Sequence, residues 1–467
     1  MSRNLLPNED TIAAIATAQG EGGIAVIRIS GPEVSVIINN IFKRDGANNG
    51  SAMESHRLYH GHIEDPGSGL ILDEVLCAVM NAPNSYTGEN VAEIHSHGGY
   101  IVPRKILEVL FDHGARPADP GEFSLRAFLN GKMDLTQAEA VSDVINAQTE
   151  EGLKQAEMQL EGVLSDQISG FKDSVLDLLA EIESQVDFPE EDIDPLVKND
   201  IIYRTEDLIS NINSLLSTYA EGRILKYGVI TTILGKPNVG KSSLLNSLLM
   251  KERAIVSHHP GTTRDFIEES IDIRGIPLKL IDTAGIRVAT DQVEKTGVEL
   301  ARKKAREGEL LIAVIDGSVD LSQDDEEVLR EIRDKNSVLV INKSDKGIKV
   351  QENDLTQYVS SDRIATTSAK EGTGIEELKD IIRNSLINQT NFSKQGEFVL
   401  TELRHKTALE KAEESLDSFL KAFKKGESPE FLALDLRVAL DSLGEITGEV
   451  TTEDVLGRIF SKFCVGK

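Results

Sequence analysis

Eight residues, Gly235-Lys236-Pro237-Asn238-Val239-Gly240-Lys241-Ser242, constrain this chain more than any other stretch. They fit the G-x-x-x-x-G-K-[ST] pattern of a phosphate-binding loop. That pattern has meaning only between a strand and a helix. Here the β-branched run Val229 to Leu234 precedes it, and Ser243-Leu244-Leu245-Asn246-Ser247-Leu248-Leu249 follows as the first turns of a helix. Gly235 and Gly240 let the backbone curl so that its N–H groups converge on phosphate oxygens, and the positive end of the helix faces the same anion. Lys241 reaches the β- and γ-phosphates, and Ser242 offers a hydroxyl to Mg²⁺.

Around this loop the chain alternates strands and helices from about Lys226 to Asn384. Strands are expected at Val229–Leu234, Glu269–Arg274, Leu278–Asp282, Leu310–Asp316, Val338–Asn342 and Ile364–Thr367. Helices are expected at Glu294–Glu307, Asp324–Asp334 and Ile375–Ser385. Such alternation predicts a largely parallel, helix-covered sheet with its ligand at the carboxyl ends of the strands. Four more elements fall at those ends, in order. Gly261-Thr262-Thr263-Arg264-Asp265 supplies Thr263, a second hydroxyl for Mg²⁺. Asp282-Thr283-Ala284-Gly285 brings a carboxylate to the metal and an N–H to the γ-phosphate. Asn342-Lys343-Ser344-Asp345 places Asp345 to accept from guanine N1–H and the 2-amino group, which adenine does not offer in that arrangement. Ser368-Ala369-Lys370 backs the base. Together they predict a Ras-like guanine-nucleotide domain of the P-loop class. The GTP-binding set is Asn238, Val239, Gly240, Lys241, Ser242, Ser243, Ser257, Thr262, Thr263, Asp282, Thr283, Ala284, Gly285, Asn342, Lys343, Asp345, Ser368, Ala369 and Lys370. In Ras-like enzymes a Gln soon after the Asp-Thr-Ala-Gly element orients the attacking water. Ile286 and Arg287 stand there instead, so Arg264, Arg287, Asp291, Glu294 and a bound cation are the candidates for that role.

The rest of the chain divides around this domain. Residues 1–130 read as a small mixed α/β domain, with strands at Gly23–Gly31, Leu72–Met80 and Val91–His95 and helices at Val34–Phe42 and Tyr100–Phe111. Arg28 and Glu93 each interrupt an apolar strand. A charge so placed lies on a wet face, pairs, or lines a polar pocket, and the pattern leaves all three open. His95 and His97 share a strand face, but no ligand cluster accompanies them in sequence beyond Glu93. Residues 131–225 are helical. Leu153, Ala156, Leu160, Leu164, Ile168, Phe171, Val175, Leu178, Ile182 and Val186 step by three or four, as one long helix or a pair. The stripe stops at Phe188-Pro189-Glu190-Glu191-Asp192-Ile193-Asp194-Pro195. The nucleotide domain (226–385) is followed by helices again over 386–467: Thr401–Phe423, Pro429–Leu443 and Thr452–Phe463. Each half has an apolar stripe and too little partner surface of its own, so the expected architecture is a helical domain whose two halves pair around the inserted nucleotide domain.

Composition narrows the class. A net charge of −28 over 467 residues argues against nucleic-acid binding by the whole surface, so RNA would need a local basic patch or a basic partner. No run is long and apolar enough to span a bilayer, the stretch Met1 to Asp10 holds no apolar core of signal-peptide length, and two cysteines make no disulfide framework. These favour the cytosol. Cys77 reads as core. Cys464 reads equally as a nucleophile or proton donor and as a small packing residue.

Three stretches resemble the MnmE (TrmE) family of tRNA-modification GTPases: the phosphate loop with Gly261-Thr262-Thr263-Arg264-Asp265, the N-terminal Asp10-Thr11-Ile12-Ala13-Ala14, and the tail from Gly444-Glu445-Ile446-Thr447-Gly448-Glu449-Val450 to Phe463-Cys464-Val465-Gly466-Lys467. The resemblance spans the whole chain. It implies an N-terminal domain that dimerises and binds 5-formyltetrahydrofolate or a related one-carbon tetrahydrofolate at Arg28, Glu93 and Lys132, with Lys467 nearby. It implies K⁺ at Asn238, Ser257, His259 and Thr262, Mg²⁺ at Ser242 and Thr263, and Glu294 as the water-orienting carboxylate. Potassium and GTP would bring two nucleotide domains together to activate hydrolysis. The implied partner is the FAD- and NADH-using MnmG protein, in a heterotetramer that builds an aminomethyl or carboxymethylaminomethyl group at C5 of the wobble uridine of tRNA. Ser257-His258-His259 departs from the Thr-Asp-Ile usual in the family, though backbone ligation tolerates such change. The competing classes are a ribosome-assembly GTPase without uridine chemistry and a dynamin-like membrane GTPase. Neither the basic module of the first nor the amphipathic basic segment of the second is visible in the sequence.

Overall fold

A computed structural model of the chain describes residues 10–18, 20–45, 53–187, 195–249, 268–281, 308–387 and 396–467, with the side chains at 185–187, 195, 268, 269, 281 and 387 left out. It falls into two compact units, Met1–Ser142 with Gly444–Lys467, and Asp143–Leu443.

The first unit is built on a sheet of seven strands in the order β3-β4-β5-β6-β2-β1-β7. The strands are β1 Thr11–Ile15, β2 Ile24–Ser30, β3 Phe42–Arg44, β4 Leu58–Asp65, β5 Leu70–Met80, β6 Val91–His97 and β7 Ala115–Pro117. Strand alternation sends Ile27, Ile29, Ile63, Val75, Cys77, Ala92 and Ile94 to one face, under the helices Val34–Ile41 and Val102–Asp112. Arg28, Glu93 and His95 therefore fall on the other. β4 is not foreseen in the sequence, because an inward position is Gly61. A Cβ there would sit 2.2 Å from the Lys43 carbonyl, so the neighbouring strand excludes the branched residue that would have marked the pattern. The final helix, Glu453–Phe460, buries Leu456 and Phe460, with Phe463 beyond it, against Leu135 and Ala138. The stretch Gly444–Lys467, read from sequence as the end of the helical half, thus packs in this unit.

The second unit holds a six-stranded sheet, β13-β12-β11-β8-β10-β9. Its strands are β8 Val229–Leu234, β9 Glu268–Ile273, β10 Ile276–Ile281, β11 Leu310–Asp316, β12 Ser337–Asn342 and β13 Ile364–Thr366. All neighbours are parallel except β9 and β10. Side chains of β11 and β12 alternate between two cores. Ile312, Val314, Val338 and Val340 pack with the helices Lys241–Leu249 and Ile375–Ile387, while Leu311, Ala313, Ile315, Leu339 and Ile341 pack with Gln323–Ile332. Burial on both faces explains the unbroken apolar runs.

The long apolar stripe resolves as two helices, Glu150–Leu160 and Val163–Asp187, parted at Gly162, where φ is +97°. The helical halves do pair. Helix Leu403–Lys425 packs along Pro195–Ser217, and Lys424 Nζ lies 2.8 Å from Glu206 Oε1. Gln155, before the insertion, exchanges hydrogen bonds of 3.0 Å with the Glu397 carbonyl and the Val399 N–H after it. Where the chain enters and leaves the nucleotide domain, Lys226 Nζ donates to Asp143 Oδ2 at 2.5 Å and also to Glu402. Among the described residues no helix is long and apolar enough to cross a membrane.

Candidate functional site

The phosphate loop leaves β8 through Gly235 (φ +148°), turns at Asn238 (φ +65°) and enters its helix through Gly240 (φ +101°). The first and last are glycine of necessity. A Cβ at Gly235 would lie 2.4 Å from the Val314 carbonyl, and one at Gly240 would lie 2.2 Å from Asn342 Nδ2. The loop is tied across its own mouth, since Lys241 Nζ donates to the carbonyls of Gly235 (2.6 Å) and Lys236 (2.9 Å). Ser242 and Ser243 lie in the first turn of the helix, both exposed, and Val239 is buried before it.

The guanine-recognition residues hold the loop from the far side. Asn342 ends β12 fully buried. Its Nδ2 donates to the Val239 carbonyl at 2.9 Å, and its Oδ1 accepts from the Ala369 N–H at 3.0 Å and Thr367 Oγ1 at 3.2 Å. Lys343, in a left-handed conformation (φ +67°), reaches the Asn238 carbonyl at 2.6 Å and Asp316 Oδ2 at 2.7 Å. Burial works to raise the Asp316 carboxyl, but Lys343 and Ser318 outweigh it and hold it below the usual carboxylate range. Asp345 stands exposed, and a 2.7 Å hydrogen bond from Ser368 Oγ lowers its pKa and orients it. Lys370 is exposed close to Ser368 in sequence. The result is an ionised acceptor next to a phosphate cradle, the chemistry that a guanine base with its phosphates requires. Ser257, His259, Thr262, Thr263, Arg264, Asp282, Thr283, Ala284, Gly285, Arg287, Asp291 and Glu294 lie outside the described residues.

A second cluster of candidate residues lies in the first unit. Arg28 and Glu93 are register partners on β2 and β6, joined by Nε–Oε1 at 3.0 Å and Nη2–Oε1 at 2.8 Å. The guanidinium stacks 5.2 Å from the ring centre of Tyr86 and 5.8 Å from that of Phe123. The chain end joins them. The Phe123 N–H donates to the Lys467 carbonyl at 3.2 Å, and the Gly121 N–H donates to that of Cys464 at 3.4 Å. Burial first, then the charge of Arg28, pushes the Lys467 ammonium below its ordinary pKa, with Glu93 opposing. Lys132 Nζ donates to the Pro83 carbonyl at 3.1 Å. Cys464 is exposed, whereas Cys77 is buried in the core and its thiol is pushed up to about 12. His95 lies 3.6 Å from Glu93, His97 pairs with Asp73 at 2.8 Å, and no metal-binding cluster occurs among the described residues.

Sequence reading missed one charged network in this unit. Asp10 pairs with Arg116 (2.6 Å) and Arg126 (2.7 Å), both of which also reach Glu122. Asp10 is the first residue of the Asp-Thr-Ile-Ala-Ala stretch, so that stretch carries packing here: β1 is nearly buried, and Arg126 also donates to the Asp10 carbonyl. Nothing local announces a pair 116 residues apart.

A family model described as "MnmE helical domain" matches residues 135–464, and one described as "GTP-binding protein TrmE N-terminus" matches residues 11–132. The tRNA modification GTPase MnmE of Thermoanaerobacter sp. (strain X514) is 44% identical over 458 residues, 98% of this chain and 99% of that protein. The protein of that name from Clostridioides difficile (strain 630) is 45% identical over 459 residues, with 98% and 99% covered. Among solved structures, the FeoB G-domain from Methanococcus jannaschii is similar at 22% identity and a TM-score of 0.24, over 34% of this chain and 97% of that one. With both family models matched in order and relatives aligned over nearly their whole length, the chain belongs to the MnmE (TrmE) family of tRNA modification GTPases.

Proposed function

We propose that this chain is the GTP-hydrolysing component of a cytoplasmic system that builds an aminomethyl or carboxymethylaminomethyl group at C5 of the wobble uridine in tRNA. The observation that carries the nucleotide part is the hydrogen bond from Asn342 to the Val239 carbonyl, because it joins the base-recognition strand end directly to the phosphate cradle. The Ser242 hydroxyl at the helix N-terminus suits Mg²⁺, with Thr263 as its companion, and the metal supplies charge neutralisation at the phosphates. Asn238, exposed at its left-handed turn, suits a K⁺ ligand together with Ser257, His259 and Thr262. Glu294 then orients the water. This arrangement makes hydrolysis depend on the meeting of two nucleotide domains in a homodimer.

The one-carbon unit belongs to the other site. Arg28, Glu93, Lys132 and Lys467 would hold a tetrahydrofolate, which supplies the carbon. Glu93 can accept from an amino-pyrimidine edge, the Tyr86 and Phe123 rings offer apolar flanks, and the cations Arg28 and Lys467 suit an anionic tail. Cys464, exposed on the tail, is available to the uridine chemistry carried out with the FAD-using MnmG partner. The test is nucleoside mass spectrometry of tRNA from a strain lacking this chain. Loss of the C5-modified wobble uridine is expected. Unchanged wobble uridines would overturn the tRNA part and leave a GTPase switch of the ribosome-assembly type.

A further inference from the structure

We propose that Lys236, the second residue of the phosphate loop, is a positioning residue that preorganises the loop for the nucleotide through a clamp on the helix Gln323–Ile332. The proposal rests on the GTP-binding reading above. Lys236 Nζ lies 2.6 Å from Asp325 Oδ2 and 3.1 Å from Ser322 Oγ. Ser322 caps that helix, and Asp325 returns a hydrogen bond to the cap, so the acceptor end of the clamp is rigid. The Asp325 side chain is 3% exposed, and its Oδ2 also accepts from the Ser322 N–H at 3.0 Å and Oγ at 2.7 Å. Its other oxygen, Oδ1, is buried without a partner among the described residues. A carboxylate so desolvated needs a cation, and among the described residues Lys236 supplies it. Burial pushes the Asp325 carboxyl up, yet the hydrogen bonds from Lys236 and Ser322 leave it below its ordinary range.

The consequence for the nucleotide follows from the loop's backbone. Three of its residues sit at positive φ, one of them the non-glycine Asn238. Such a conformation persists only where its surroundings over-determine it. Asn342 and Lys343 fix the C-terminal half through the Val239 and Asn238 carbonyls. From the N-terminal half, the Lys236 side chain reaches outward to the rest of the domain. The carbonyl of this same residue accepts from Lys241 Nζ, so the clamp also sets the resting place of the ammonium that must turn to the phosphates. A loop already in its bound shape binds without the cost of ordering.

The experiment measures GDP affinity by titration calorimetry and steady-state GTP hydrolysis for the full chain, wild type, Lys236→Met and Lys236→Arg, with thermal unfolding as a check of fold. Lys236→Met keeps the Ser322–Asp325 cap intact. It is expected to weaken GDP binding about tenfold and raise KM for GTP in step, with kcat changed by less than about twofold. Lys236→Arg keeps the charge and is expected to recover most of that loss. Should Lys236→Met fail to fold, Asp325→Asn, whose amide oxygen still accepts from Ser322, is expected to show the same tenfold weakening. GDP affinity for Lys236→Met within about twofold of wild type would overturn the clamp, as would a fall in kcat at unchanged affinity, or an Arg variant no better than Met. Absence of GDP binding by the wild-type chain would instead refute the nucleotide reading itself.

Discussion

The phosphate loop and the charged cluster at Arg28 are stabilised by opposite means. In the loop, side chains close on main-chain carbonyls: Lys241 on Gly235 and Lys236, Lys343 on Asn238, Asn342 on Val239. In the cluster, side chain meets side chain, Arg28 with Glu93 and with the rings of Tyr86 and Phe123. A site made of backbone depends on the residues that permit its curvature and on the few side chains that hold its carbonyls and anchor it. A site made of side chains depends on each partner by name. The difference also sets where each is fragile, because a cradle fails when a Cβ enters it, whereas an ion pair fails when one charge is left without the other.

The largest effect should therefore come from a methyl group. Gly240→Ala adds a Cβ 2.2 Å from Asn342 Nδ2 at a φ of +101°. The left-handed backbone costs about 1–2 kcal/mol in a non-glycine residue, and displacing Asn342 forfeits a hydrogen bond worth about 1 kcal/mol. GDP affinity, read by calorimetry, is expected to fall about a hundredfold, each 1.4 kcal/mol being about tenfold. A Gly240→Ala variant that binds GDP as wild type does would break the comparison, since the cradle would then tolerate what its geometry forbids.

The cluster at Arg28 should answer to a different change. Arg28→Met keeps the bulk against Tyr86 and Phe123 but takes the guanidinium from Glu93. The pair is largely enclosed, with side chains 16% and 22% exposed, so removing one partner is expected to lower stability by about 1–3 kcal/mol, at or below the range for fully buried pairs. Thermal unfolding and binding of 5-formyltetrahydrofolate would both register it, and folate affinity is expected to fall about tenfold with GDP affinity unchanged. Folate binding equal to wild type would remove Arg28 from that site.

The same contrast explains what the sequence reveals. The loop is contiguous, and its glycines are compulsory, so one octapeptide discloses it. Its anchors are partly legible. Asn342 and Lys343 belong to a recognisable motif, but the bond to Val239 joins residues 103 apart and is a property of the fold alone. Lys236 to Asp325 spans 89 residues, and only the Ser322-x-x-Asp325 cap at its far end has a local signature. The cluster at Arg28 is less legible still. Arg28 and Glu93 mark themselves by interrupting apolar strands, while Tyr86 and Phe123 look like any core aromatic until the fold brings the guanidinium to them. Strand β4 escapes because Gly61 sits where the pattern wants a branched residue, and the Asp10–Arg126 network escapes because charge pairing has no periodicity to read.

The smallest effect concerns the chain end and sharpens the comparison most finely. Lys467 is half-buried beside Arg28, and its ammonium pKa is lowered from the ordinary 10.5, first by burial and then by Arg28. In the unfolded chain the group holds its proton up to that ordinary value; in the folded chain it releases it earlier. Between the lowered pKa and about 10.5 the unfolded state binds more protons, so this residue's contribution to stability rises with pH and is lost as pH falls through the lowered value. Thermal unfolding of wild type against Lys467→Met, followed upward from neutral pH, is expected to show a shallow alkaline rise in relative stability that the variant lacks. The backbone bond from Phe123 to the Lys467 carbonyl does not involve the side chain, so the difference isolates the ammonium from the tail's main-chain anchor. Parallel curves would mean that the tail is held as the phosphate loop is, by its backbone, with the ammonium electrostatically idle. A difference of opposite sign would mean that Glu93, and not burial with Arg28, dominates the field at the chain end.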